Sequence, residues 1–183
     1  MKKIFSVVGG VALVLGLSLP GAGVFAATTS TNVTIDAQVL STISITTSGT
    51  VTLSPVPQAG VSSGVDTVTV NTNSSNGYVL NLRATTSNQL VSGANSLSAT
   101  SGNWATPATM STNSWGYRVD GVGNFGTGTS TYAAVPTTNQ ALKTTGTTAV
   151  DDVTSVIYGA SVNSSQPSGT YTGQVTYTAV TNS

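Results

Sequence analysis

Asn32-Val33-Thr34-Ile35-Asp36-Ala37-Gln38-Val39-Leu40-Ser41-Thr42-Ile43-Ser44-Ile45 puts Val33, Ile35, Ala37, Val39, Ile43 and Ile45 on odd positions. The residues between them are mostly Thr, Asp, Gln and Ser. Alternation of this kind suits a half-buried strand, because successive side chains point to opposite faces. The same period returns downstream. Strands are predicted over Val51–Leu53, Thr67–Asn71, Tyr78–Arg83, Trp115–Val119, Val153–Val162 and Thr170–Val180. No stretch keeps a helical period.

Turn chemistry separates these segments. Ser54-Pro55-Val56-Pro57 cannot lie in a central strand, since proline lacks a donor N–H. Asn76-Gly77, between Val70 and Tyr78, reads as a hairpin turn, because both residues tolerate positive φ. Asp120-Gly121 and Pro167-Ser168-Gly169 read the same way. Ala84–Thr112 is less regular, a long excursion around Leu90, Leu97 and Trp104 that holds no charged residue. Short strands joined by turns predict an all-β fold, an antiparallel immunoglobulin-like β-sandwich.

The first 26 residues read differently. Lys2 and Lys3 precede the apolar run Ile4–Leu19, Pro20-Gly21 ends it, and Val24-Phe25-Ala26 sets small residues where a signal peptidase cuts. Met1–Ala26 is therefore expected to be a cleaved signal peptide. The competing reading is an uncleaved anchor, but the apolar core is shorter than the ~20 residues a spanning helix needs. No Cys follows to carry a lipid, and Val175–Ser183 has neither a hydrophobic tail nor basic residues. The expected product is a single domain, Ala27–Ser183, secreted or at the cell surface, with no membrane span after cleavage. A chain of that size buries about 68–70% of its unfolded surface, so its core needs no disulfides.

Charge is scarce. After Ala26 the bases are Arg83, Arg118 and Lys143, and the acids are Asp36, Asp66, Asp120, Asp151 and Asp152. Three bases make no patch for nucleic acid or an anionic membrane. The chain has no His, Cys or Glu, which removes Ser-His-Asp and Cys-His catalysis and the usual zinc sites. Asp151-Asp152 are neighbours, and neighbours on a strand face opposite ways, so they suit a glycosidase pair badly and read as a solvated turn. No catalytic residue, metal or cofactor is implied. A Lys–Asn isopeptide crosslink would have to use Lys143, in the weakly apolar Gln140-Ala141-Leu142-Lys143-Thr144. Asn32, Asn73 and Asn163 open sequons that read as polar strand ends and turns.

Trp104, Trp115, Tyr117 and Tyr132 carry the remaining chemistry, as a stacking face for a sugar or as core. Trp115 and Tyr117, two apart on a strand, share a face that reads as core. Trp104, in the irregular excursion, is the candidate exposed aromatic, with packing beneath the loop as the alternative.

Three segments together carry a resemblance. The first is Thr67–Asn71 running into Asn76-Gly77-Tyr78-Val79-Leu80-Asn81-Leu82, and the second is Asn113–Val119. The third joins Val156-Ile157-Tyr158-Gly159 to Ser168–Tyr177. In that order, across most of residues 31–180, they resemble the spore coat protein U / secreted pilin-like domain, although this chain lacks the cysteines those domains commonly carry. The chain is also similar to uncharacterised exported proteins of candidate-phylum bacteria. Trp104-Ala105-Thr106 and Trp115-Gly116-Tyr117 do not fit the WxL motif of Gram-positive surface domains. The resemblance implies an immunoglobulin-like sandwich in surface fibres, completed by strand donation between subunits.

The expected function is thus a structural or adhesive cell-surface protein. Its alternating segment Thr31–Ser41, with Val33, Ile35, Ala37 and Val39, is the candidate strand donor for a neighbour's open sheet edge. Pairing of that segment within its own domain is the other reading. Self-association, or a surface glycan or protein, is the partner expected. The alternative function is a soluble carbohydrate-binding module built around Trp104.

Overall fold

The computed structural model describes residues 29–55, 57–128 and 130–183. Met1–Ala26, the expected signal peptide, lies outside the described residues. Residues 39–183 form one compact unit, and the residues before Val39 form a unit of their own.

Among the described residues every regular element is a strand. Period-2 sequence makes them so: β2 (Ser62–Thr72), β3 (Tyr78–Ala84) and β7 (Ser114–Val119) turn Val68, Val70, Tyr78, Leu80, Leu82, Trp115 and Tyr117 inward. A six-stranded sheet runs in the order β1-β2-β10-β7-β5-β4, with β1 over Ile43–Thr46, β4 over Leu90–Ser92, β5 over Asn95–Ala99 and β10 over Ala149–Ser161. A three-stranded sheet runs β11-β3-β9, with β9 over Gln140–Thr144 and β11 over Val175–Thr181. A small pair joins β6 (Ala108–Thr109) to β8 (Thr131–Tyr132). The fold is all-β, and its sheets pack on a shared core.

Register shows how that core closes. Val156 of β10 stands between Asp66 and Val119, Tyr158 between Gly64 and Tyr117, and Ala160 between Ser62 and Trp115. Their inward side chains face Tyr78, Leu80, Leu82 and Leu142 of the smaller sheet. Trp115 stacks on Tyr158 with ring centres 6.3 Å apart, and its indole N–H donates to the Asn88 carbonyl at 2.8 Å. A buried indole needs such an acceptor.

Several sequence expectations change. Thr31–Ser41 forms no strand here: residues 29–42 take part in no strand or bridge, and the regular element begins only at Ile43. An alternating pattern selects a face, but a strand also needs a second backbone for its N–H and C=O groups. Asn76-Gly77 makes the expected turn, with Gly77 at φ 77° and its N–H on the Ser74 carbonyl. It does not make a hairpin, because β2 and β3 lie in different sheets. The excursion Ala84–Thr112 is partly strand. Its β4–β5 pair widens the large sheet, and β5 joins β7 in parallel through Ser98↔Ser114 and Ala99↔Trp115, so the sheet is not wholly antiparallel. Val51–Leu53 is not a strand, although Val51 and Leu53 still pack on the core. The final strand begins at Val175 rather than Thr170, because Tyr171 is held by Pro167 and Gln166 while Thr172 bridges to Val91.

Candidate functional site

Apolar side chains are exposed where the alternating segment was expected to donate. Val33, Ile35 and Val39 are each more than 80% accessible, Leu40 is 71% accessible, and Ala37 is exposed. Ordinary surfaces scatter single aliphatics. Here they recur on every second residue of one segment.

A second feature lies between β1 and β11. Among the described residues β1 bonds to β2 alone and β11 to β3 alone, so each strand keeps one edge without a described partner. Between these edges an open groove of about 360 Å³ is lined by Ile45, Thr46, Asp66, Val175 and Tyr177 among others. Ile43, Ile45, Val175, Tyr177 and Ala179 all pack on the core yet stay half-buried. Their partners in the middle of the sheets, such as Val70, Leu80 and Leu82, are fully buried. The core is therefore uncovered along this seam.

The floor of the seam is polar. Asp66 is 3% exposed and accepts the Ser48 N–H at 2.9 Å. Tyr177 and Tyr158 share a hydroxyl–hydroxyl bond of 2.7 Å. Burial, then the neighbouring Tyr158 and Asp66, push the Tyr177 phenol far above its ordinary range, so it remains a neutral hydroxyl. Asp66 has the inward parity of Val68 and Val70, which was the one sequence signal that this acid would be buried.

Where the exposed segment meets β1, Asn73 holds the chain. Its Oδ1 accepts the Thr42 N–H at 2.6 Å, and its Nδ2 donates to the Leu40 carbonyl at 2.9 Å. Thr72 Oγ1 accepts the Ser74 N–H and donates to the Thr42 carbonyl at 2.7 Å. Asn73 and Asn163 open sequons, and both side chains are engaged within the fold, Asn163 Oδ1 accepting from Asn113 Nδ2 and the Ser165 N–H.

Asp151-Asp152 is not a solvated turn. Both residues belong to β10, at a register shift where Asp151 takes φ 48° and its N–H donates to Asn71 Oδ1 at 2.6 Å. Asp152 receives Lys143 Nζ at 2.5 Å on one oxygen and the Tyr78 hydroxyl at 2.9 Å on the other. Burial works to raise the Asp152 carboxyl. Hydrogen bonds from Lys143 and Tyr78, and the Lys143 charge, outweigh it and hold the carboxyl below its ordinary value. Isopeptide formation needs a neutral amine and a protonated carboxyl, whereas this geometry favours the ion pair.

The pair makes a stability prediction. A carboxyl depressed in the folded state stabilises the protein above its unfolded value of 3.8, and that stabilisation is lost as pH falls through the folded value. Lys143→Met is expected to cost about 1 kcal/mol at pH 7, the scale of a partly exposed pair. The cost should be smaller at pH 2 than at pH 7. Urea unfolding at both pH values measures it, and an equal loss at both would contradict the assignment.

Trp104 is half-buried rather than free, with its ring edge-on to Phe125 at 5.5 Å between centres. Trp115, Tyr117 and Tyr132 are buried, so the four aromatics build no common outer face. Among the described residues no three acidic side chains cluster as a metal site would require, and no helix is long and apolar enough to cross a membrane. No protein-family model matches the chain, and neither a curated protein nor a solved structure shows significant similarity to it.

Proposed function

We propose that this is an exported cell-surface structural subunit that assembles by strand addition. The Thr31–Ser41 segment of one copy pairs with the free edge of β11 in the next. The observation that carries the reading is a complementary pair on one chain. An unpaired segment exposes Val33, Ile35, Ala37 and Val39 in alternation, and an unpaired edge leaves Val175, Tyr177 and Ala179 half-covered. Backbone bonds along such an edge supply affinity, and alternate side chains set register.

Strand order supports an immunoglobulin-like frame. In that frame one sheet runs A-B-E-D and the other C-F-G. The run β1-β2-β10-β7 corresponds to A-B-E-D, and β3-β11 corresponds to C-F. No described strand occupies the place of G, beside β11. The same place is where the groove opens. An inserted strand needs about 9–10 Å between its two neighbours, and β1 and β11 approach within 8 Å at some Cα pairs. β1, four residues long, has to shift outward by a few ångströms to admit it.

The test is assembly of the purified chain beginning at Ala27. SDS-resistant ladders and fibres in electron micrographs are expected at high concentration, and both should vanish when residues 29–39 are removed. Monodisperse particles from the intact chain would overturn the reading.

A further inference from the structure

A donor segment attached directly to β1 has a competing partner, the groove of its own molecule. Folding back at residues 40–42 would lay the segment along the free edge of β1. Face parity limits how this can happen. Ile43 and Ile45 face the core, so Val39 and Ala37 must stand opposite them, which leaves the three-residue loop Leu40-Ser41-Thr42. A loop of that length is a type I turn followed by a left-handed residue, normally glycine. The turn needs the Thr42 N–H to reach the Val39 carbonyl, and the left-handed position falls on Thr42 itself.

Both requirements are blocked. Thr42 is β-branched, which makes positive φ costly. Its N–H is already given to Asn73 Oδ1, its carbonyl accepts Thr72 Oγ1, and the Leu40 carbonyl accepts Asn73 Nδ2. We infer that Asn73 is a latch that withholds the turn at residues 40–42, so that the segment stays available to a second copy of this chain instead of closing on its own β1. The inference rests on the strand-addition reading and assigns Asn73 a positioning role within it.

Asn73→Ala combined with Thr42→Gly removes both obstacles, and Thr42→Gly alone leaves the latch in place. Amide hydrogen exchange on the dilute monomer beginning at Ala27 reads the closure directly. In the double variant the amides of residues 33–39 should gain at least tenfold protection and the melting temperature should rise. In the wild type and in Thr42→Gly they should exchange freely. Protection in Thr42→Gly alone, or its absence in a folded double variant, would overturn the latch. At high concentration the double variant should lose SDS-resistant ladders at least tenfold. If the wild type forms no ladders, strand addition fails while the exchange result still decides the role of Asn73.

Discussion

Gly116→Ala is expected to destabilise the protein by about 3 kcal/mol, the upper range for overpacking a filled site. For a domain of this size that corresponds to a fall in melting temperature of about 6–12 °C. β7 is buried on both faces. Trp115 and Tyr117 point into the core, Ala133 pairs with Tyr117, and its carbonyl and Thr100 lie against Gly116. A Cβ on Gly116 would lie 2.5 Å from the Ala133 carbonyl oxygen and 2.8 Å from Thr100 Cγ2. The carbonyl cannot retreat, because it accepts the Tyr117 N–H at 2.9 Å while the Ala133 N–H returns to the Tyr117 carbonyl at 2.8 Å. Gly146→Ala, where an added Cβ meets nothing within 4 Å, is the control and should change little. Thermal unfolding followed by circular dichroism compares the two. Equal melting temperatures would show that the Ala133 segment yields.

Ile35→Asp has the opposite profile, with little effect on the folded unit and a large effect on assembly. Ile35 is 87% accessible, and exposed substitutions commonly stay within about 0.5 kcal/mol. In a strand-added assembly the alternating side chains, Ile35 among them, would enter the seam that Val175, Tyr177 and Asp66 line. Burying an unpaired carboxylate there costs several kcal/mol, and a second carboxylate near Asp66 adds repulsion. The expected result is at least a hundredfold loss of SDS-resistant ladders with an unchanged monomer melting temperature. Ile35→Val, which keeps shape and polarity, should retain most of the assembly. Ladders of wild-type strength from Ile35→Asp would mean that this side chain does not enter the seam.

The periodic strands were legible because a half-buried face writes itself into every second residue. Val68 and Val70, Leu80 and Leu82, and Trp115 and Tyr117 all face the core as their spacing predicts. Parity names a face and is silent about a partner. For that reason neither the parallel docking of β5 on β7 nor the separation of β2 and β3 into different sheets could be read from the chain. The alternating run from Val33 to Ile45 divides for the same reason: Ile43 and Ile45 have β2 beside them, and Val33 to Val39 have no strand. Asn73 was legible only as part of a sequon, since its bonds span more than thirty positions and leave no local trace. Lys143 and Asp152 were each visible, but their meeting depends on the β9–β10 connection and the bulge at Asp151.

The central pairing of the large sheet also governs the order in which the chain can fold. β2 receives β10 only across long separations, from 77 positions for Thr72 and Ala149 to 98 for Ser62 and Ala160. Closing so distant a ladder is slow, because chain entropy is lost before the pairing repays it. During synthesis from the N-terminus, β2 emerges long before its main neighbour exists. A nascent chain ending before Ala149 therefore carries a β2 with only the short β1 beside it and its other edge open, a state in which chaperone capture or aggregation competes with folding.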